Sequence, residues 1–135
     1  MNTRDINLMG LRPEIPSAKI STNMSLDERF QNETLRPVAK LQDELLLAMF
    51  RNYITKHKNK FYELKLEKRF EYIENAIQRD IKFRNSLKGV IIGQFTLAEY
   101  DRYIKNSSAL NKRMMNIVKE RIQSNIQLLE SHMAY

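Results

Sequence analysis

Apolar residues recur along this chain in steps of three and four, the spacing of one face of a helix. The first such run is Phe30, Val38, Leu41, Leu45, Met49 and Tyr53. It opens at Ser25-Leu26-Asp27-Glu28, where a serine cap and a glutamate three residues on match a capping box. Pro37 lies inside the run and either kinks one helix or starts a second. The register through Phe30, Thr34, Val38, Leu41 and Leu45 does not slip, which predicts a kinked continuous helix. It should stop near His57, where Lys56-His57-Lys58-Asn59-Lys60 has no apolar member and its cations suit a helix C-terminus. The second run is Leu66, Phe70, Ile73, Ile77, Ile81, Leu87, Val90 and Ile91, with Gly93 as its stop. The third opens at a second capping box, Thr96-Leu97-Ala98-Glu99, and continues through Tyr100, Tyr103, Ile104, Leu110, Met114, Ile117, Val118, Ile122, Ile126 and Leu129. Asn106-Ser107-Ser108 is its weak point, so one helix of about 35 residues runs through or two helices meet there.

Residues 1–24 have a different character. Pro13 and Pro16 follow Gly10, and each proline biases its predecessor towards extended backbone. Ile6, Leu8, Met9, Leu11, Ile15, Ile20 and Met24 make the segment too apolar for a free tail. The pattern predicts an extended N-terminal arm over 1–24, packed on a helical bundle domain over 25–135. The fold class is all-α, a long-helix bundle of three to four helices. Helices of roughly 25–35 residues leave apolar stripes that a chain this short does not bury alone, so dimerisation is expected to complete the bundle. No strict heptad with flanking charges runs through the sequence, which favours a globular bundle over a simple coiled coil.

Composition supports helices. Glycine and proline number three each, too few for the many turns of a β protein. Hydrophobic residues at 42% and charged residues at 29% exclude a disordered chain. No apolar run approaches the roughly 18 residues of a membrane span. Without cysteine, disulfides and thiolate chemistry are excluded. The first eleven residues carry Arg4 and Asp5 rather than an apolar leader, and the expected location is cytoplasmic with no membrane association. The net charge of +7 is concentrated: residues 51–121 carry seventeen basic and eight acidic groups. A basic surface follows, either a solvated face or a site for an acidic partner or nucleic acid.

No catalytic constellation is legible. The serines sit at caps and loops, none in a Gly-x-Ser-x-Gly elbow; His57 has no orienting carboxylate nearby in sequence, and His132 lies three residues from a terminus expected to fray. No Glu-x-x-His pair or Asp-rich loop suggests a metal. The two glycines of Leu87-Lys88-Gly89-Val90-Ile91-Ile92-Gly93 are not followed by Gly-Lys-Ser/Thr, so they suit close helix packing better than phosphate binding. No cofactor is expected. Two polar groups stand out. Asp80 and Arg84 are four apart and can pair, and Arg84 falls where the stripe Ile73, Ile77, Ile81 calls for an apolar residue. A partly buried guanidinium there, with Asp80 and Asn85 or Asn111 as partners, either fixes helix register or receives an anion. The second group is a helix-turn-helix reading of 96–122, whose second helix would present Asn111, Lys112, Arg113 and Asn116 to nucleic acid. Lys56, Lys58 and Lys60, with Phe61 and Tyr62, would add a second contact patch.

Stretches such as Glu71-Tyr72-Ile73-Glu74-Asn75-Ala76-Ile77, Phe83-Arg84-Asn85-Ser86-Leu87-Lys88-Gly89, Ile91-Ile92-Gly93-Gln94-Phe95-Thr96 and Asn106-Ser107-Ser108-Ala109-Leu110-Asn111-Lys112-Arg113-Met114-Met115-Asn116 resemble a family of small all-helical bacterial proteins of unknown role. The resemblance covers most of the chain. Some members carry the label glyoxalase, which implies a metal-dependent βαβββ fold with His and Glu ligands on strands. No residue of this chain maps onto those ligands. Three readings follow: a non-enzymatic helical protein that self-associates and binds a partner, a basic nucleic-acid-binding module, and a glyoxalase-type lyase resting on the label alone.

Overall fold

The computed structural model describes residues 1–130, and among them all secondary structure is helical, with no strand. The βαβββ arrangement implied by the glyoxalase label is not the fold of these residues. No helix among them is long and apolar enough to cross a membrane.

The N-terminal segment departs from the expected extended arm. Thr3–Leu11 forms a helix, α1, capped by the Asn2 side chain, which accepts from the Asp5 N–H at 2.7 Å. The prolines act only on their own predecessors: Arg12, before Pro13, leaves the helix at φ −71°, ψ 132°. Extended and turn backbone then runs to Ser25.

The first long run is indeed continuous across Pro37, but it is not one regular helix. It comprises α2, Leu26–Phe30, a π-turn, Gln31–Leu35, α3, Arg36–Leu41, and α4, Asp43–Lys56. Ser25 accepts from the Glu28 N–H, as its capping signal predicts. In an α-helix the Pro37 ring would press on the carbonyl of Glu33; the wider turn, in which the Arg36 N–H reaches back five residues to Gln31, relieves that clash. The inward row is Phe30, Thr34, Val38, Gln42, Leu46, Phe50 and Ile54, a strict step of four, with Gln42 half-buried and donating to the Val90 carbonyl at 3.1 Å. A step-of-four row drifts about 40° per turn around a regular helix. The π-turn and the break at Gln42 (φ −91°, ψ 7°) turn it back towards the core. The expected stripe Leu41, Leu45, Met49, Tyr53 is therefore the edge of the buried face, and Leu45 stays 47% exposed. The helix ends at Lys56, as the cationic stop predicts. The chain then turns through Lys58 and Asn59, both with left-handed φ, into a short 3₁₀ turn, Lys60–Glu63.

The second run also divides, into α5, Leu66–Arg79, and α6, Ile81–Ile92. Asp80 takes extended ψ and its carboxylate accepts from the Phe83 N–H at 3.2 Å, making it the N-cap of α6. The break rotates the stripe: Ile81 is 70% exposed, while Leu87 and Ile91 are buried. The glycines do not serve close helix packing. A Cβ on Gly89 would meet nothing within 4 Å, and one on Gly93 would abut only the Gly89 carbonyl at 3.0 Å. Gly89→Ala is expected to stabilise the chain by about 0.5–1 kcal/mol through helix propensity. A urea midpoint that falls instead would show an unseen neighbour.

The third run forms two helices at its weak point, α7, Leu97–Ile104, and α8, Ser107–Ser124, followed by α9, Ile126–Glu130. Asn106, at φ −150° and ψ 46°, separates α7 from α8. Thr96 and Glu99 make the full reciprocal capping box. α8 is the central strut. Its Leu110, Met114, Met115, Ile117, Val118 and Ile122 are buried, and it touches the π-turn, α3, α4, α5, α6 and α7. Arg121 near its end grips Asp43 at the start of α4 with two bonds of 2.8 and 2.6 Å. One core results, filled by Phe30, Phe50, Phe61 and Phe95 with aliphatic residues from every long helix. The longest helix has 18 residues, so the long-helix premise for dimerisation does not hold among the described residues. Ile73, Ile77, Leu110, Met114, Val118 and Ile122 of the stripes are buried within the chain, while Leu45, Leu66, Ile81, Tyr100 and Ile104 stay exposed.

The arm is tied to the start of α7 by a network that spans most of the sequence. Arg12 holds Glu99 through two bonds, 2.6 and 2.5 Å. Thr34, inside the π-turn, donates to the same carboxylate at 2.5 Å, and the Thr96 N–H adds a fourth bond. Burial pushes the Glu99 carboxyl up, but bonds from Arg12, Thr34 and Thr96 and the Arg12 charge outweigh it and hold it below the usual range. Alongside, Arg4 donates to the carbonyls of Gly93 and Phe95, and Asp5 accepts from the Leu97 N–H.

Candidate functional site

The polar groups singled out from sequence are sorted by these helix boundaries. Asp80 and Arg84 do not pair. Asp80 is occupied by its cap and by the Tyr53 hydroxyl, and burial followed by that bond pushes the Tyr53 pKa up to about 12. Arg84 faces the other way, towards α8, and its buried Nε has no hydrogen-bond partner. Asn85 is exposed and joins neither. The expected Asp80–Arg84–Asn85 cluster is thus dispersed by the break at Asp80.

Arg84 instead lines a depression of about 370 Å³ with Gln78, Lys112, Met115 and Asn116. Lys112 and Asn116 also line a second depression, of about 660 Å³, walled by Arg36 and Arg113 and reaching Glu120. The two shared residues join the depressions into one groove. Its floor is the open face of α8, where Ser108, Lys112, Asn116 and Glu120 recur every four residues. Its sides are the π-turn and α3 on one hand and the end of α5 with α6 on the other. Arg113 is steadied by the Gln31 carbonyl oxygen at 2.9 Å, and Arg36 by that of Asn32 at 3.3 Å. Among the described residues, Arg36, Arg84, Lys112 and Arg113 form no ion pair, whereas Arg4, Arg12, Arg29, Arg102 and Arg121 each do.

The helix-turn-helix residues divide likewise. Lys112, Arg113 and Asn116 line the groove, but Asn111 accepts the Tyr103 hydroxyl at 2.5 Å and is taken up by that contact. In the second patch, Lys56, Lys58 and Lys60 are exposed around the end of α4, but Phe61 belongs to the core and Tyr62 donates to the Leu129 carbonyl. Arg36 and Gln31 had no distinguishing signal in sequence: they reach the groove only because α3 and the π-turn pack against α8.

A separate cleft of about 300 Å³ lies between α4 and α6. Tyr53, His57 and Phe83 line it, together with Lys56 and Lys82. The His57 Nδ1 lies 2.8 Å from the Tyr53 carbonyl, which fixes the ring, and among the described residues no carboxylate bonds to it. His132 lies outside the described residues. Among those described, no three His, Asp or Glu side chains converge as metal ligands would. The chain matches no known family model, no curated protein and no solved structure.

Proposed function

We propose that the chain is a non-enzymatic helical protein that works by taking up an anionic partner along the open face of α8. One observation carries this reading: Arg36, Arg84, Lys112 and Arg113 converge on one groove and, among the described residues, none is neutralised by a carboxylate, while Arg4, Arg12, Arg29, Arg102 and Arg121 are. A merely solvated basic face would spread its cations over convex surface, where water screens them. Here Arg84 holds a buried, unbonded Nε at the groove wall, a costly arrangement for an apo surface and a useful one for an arriving anion.

Inorganic polyphosphate is the probe that separates charge from shape. Binding followed by anisotropy competition should weaken with salt, with a log–log slope on the order of −3 for four neutralised charges. Lys112→Glu combined with Arg113→Glu should lower affinity at least tenfold. Unchanged affinity in that variant, with the fold intact by circular dichroism, would overturn the proposal.

A further inference from the structure

We infer that the anionic partner is a single-stranded nucleic acid, and that the cleft between α4 and α6 is where its bases stack. This rests on the reading of the α8 groove and names its occupant. The cleft supplies what the groove lacks. The His57 ring stacks on Tyr53 with centroids 4.0 Å apart and planes 23° from parallel, and Tyr53 packs in turn against Phe83 at 4.4 Å. His57 is exposed, so the stack ends in an aromatic face open to solvent. A nucleobase offers a flat ring to such a face whatever its sequence. Lys56 and Lys82, both exposed and without an ion pair among the described residues, flank the stack where the backbone phosphates of a stacked base would lie. Asp80, the one acidic residue lining the cleft, is already occupied by the Phe83 N–H and the Tyr53 hydroxyl.

Cleft and groove lie on different flanks of the first turn of α6. Lys82 and Phe83 line the cleft; Arg84, the next residue, lines the groove. Cations therefore line both flanks of α6, Arg84 and Lys112 in the groove and Lys82 and Lys56 beside the aromatic rings, and a strand that reaches both crosses the first turn of that helix. The pairing of a basic groove with stacking side chains is the physics of single-strand binding. A double helix fits poorly, because its bases are already stacked on one another and leave none for the open ring. An acidic peptide would satisfy the cations but has no use for the open stack.

The test uses the full chain and four labelled probes: an oligothymidylate of about fifteen nucleotides, an abasic phosphodiester of equal length, a duplex and a polyglutamate peptide. The oligothymidylate should bind tightest, about five- to tenfold above the abasic strand. His57→Ala, an exposed change that spares the core, should remove that advantage and leave abasic binding unaltered. Equal affinity for the abasic strand, or no effect of His57→Ala, overturns the inference. In that case, loss of binding on reversing Lys112 and Arg113 would still uphold the groove reading. Preference for the duplex overturns the single strand, and polyglutamate bound as tightly as the oligonucleotide assigns the groove to an acidic protein instead. No groove-dependent binding of any probe sinks both readings.

Discussion

Glu99→Ala is expected to cost the protein about 3–5 kcal/mol, a large part of the stability of a domain this size. Glu99 is only 7% exposed, and the Arg12 side chain that it neutralises is 6% exposed. Removing the carboxylate strands a buried guanidinium whose Nε is already unpartnered, and it frees the Thr34 hydroxyl and the Thr96 N–H as well. The double variant Arg12→Met, Glu99→Leu should lose much less than the sum of the two single changes, since no charge is left buried. Urea unfolding of the four species measures the coupling. Additive losses would mean that the arm is held by packing rather than by this network.

The same network sets a pH dependence. In the folded chain the Glu99 carboxyl lies below its ordinary value, so folding favours the ionised form. Its contribution is complete above the unfolded pKa of about 4.3 and is lost as pH falls through the folded value. The wild-type urea midpoint should therefore drop on going from neutral pH to about pH 3 by more than the midpoint of Glu99→Ala does.

Arg84→Met is expected to move stability and binding in opposite directions. Its Nε is buried without an acceptor, and the other charged residue lining the same depression is the cation Lys112. A thioether of similar length removes the unsatisfied donor, which should raise stability by about 1–2 kcal/mol. Polyanion affinity should fall about tenfold, the cost of one charge-assisted contact. That opposition is what a residue kept for binding produces. A variant that is less stable yet binds equally well would make Arg84 a structural residue. Thermal melts and the polyphosphate competition read the two quantities separately.

How far the sequence carried the fold depends on the range of each interaction. The Ser25 cap, the Thr96–Glu99 capping box, the stop at Lys56 and the weak point at Asn106 were legible because each is set within three or four residues, whereas the return bond from Glu28 that the first box called for is not among the contacts of the described residues. The break at Asp80 was less so: an unbroken step pattern concealed it, and the aspartate looked like the partner of Arg84 rather than the cap of α6. The helix α1 was masked by prolines that lie just beyond its end. Of the candidate site, Lys112, Arg113, Asn116 and Arg84 were visible as polar groups on helices, but not as walls of one groove.

By itself, then, the sequence determined an all-helical chain, the principal helix signals and a basic middle region, since periodicity, capping and charge are local properties. Only the tertiary structure decided which charges stay free. Arg12 meets Glu99 across 87 positions, and Arg113 meets Gln31 across 82. Where two side chains so distant in sequence come together is set by helix breaks at Gln42, Asp80 and Asn106 and by packing around α8. A one-residue shift of phase at any of those breaks turns a cation from solvent to core, and no local pattern records that rotation.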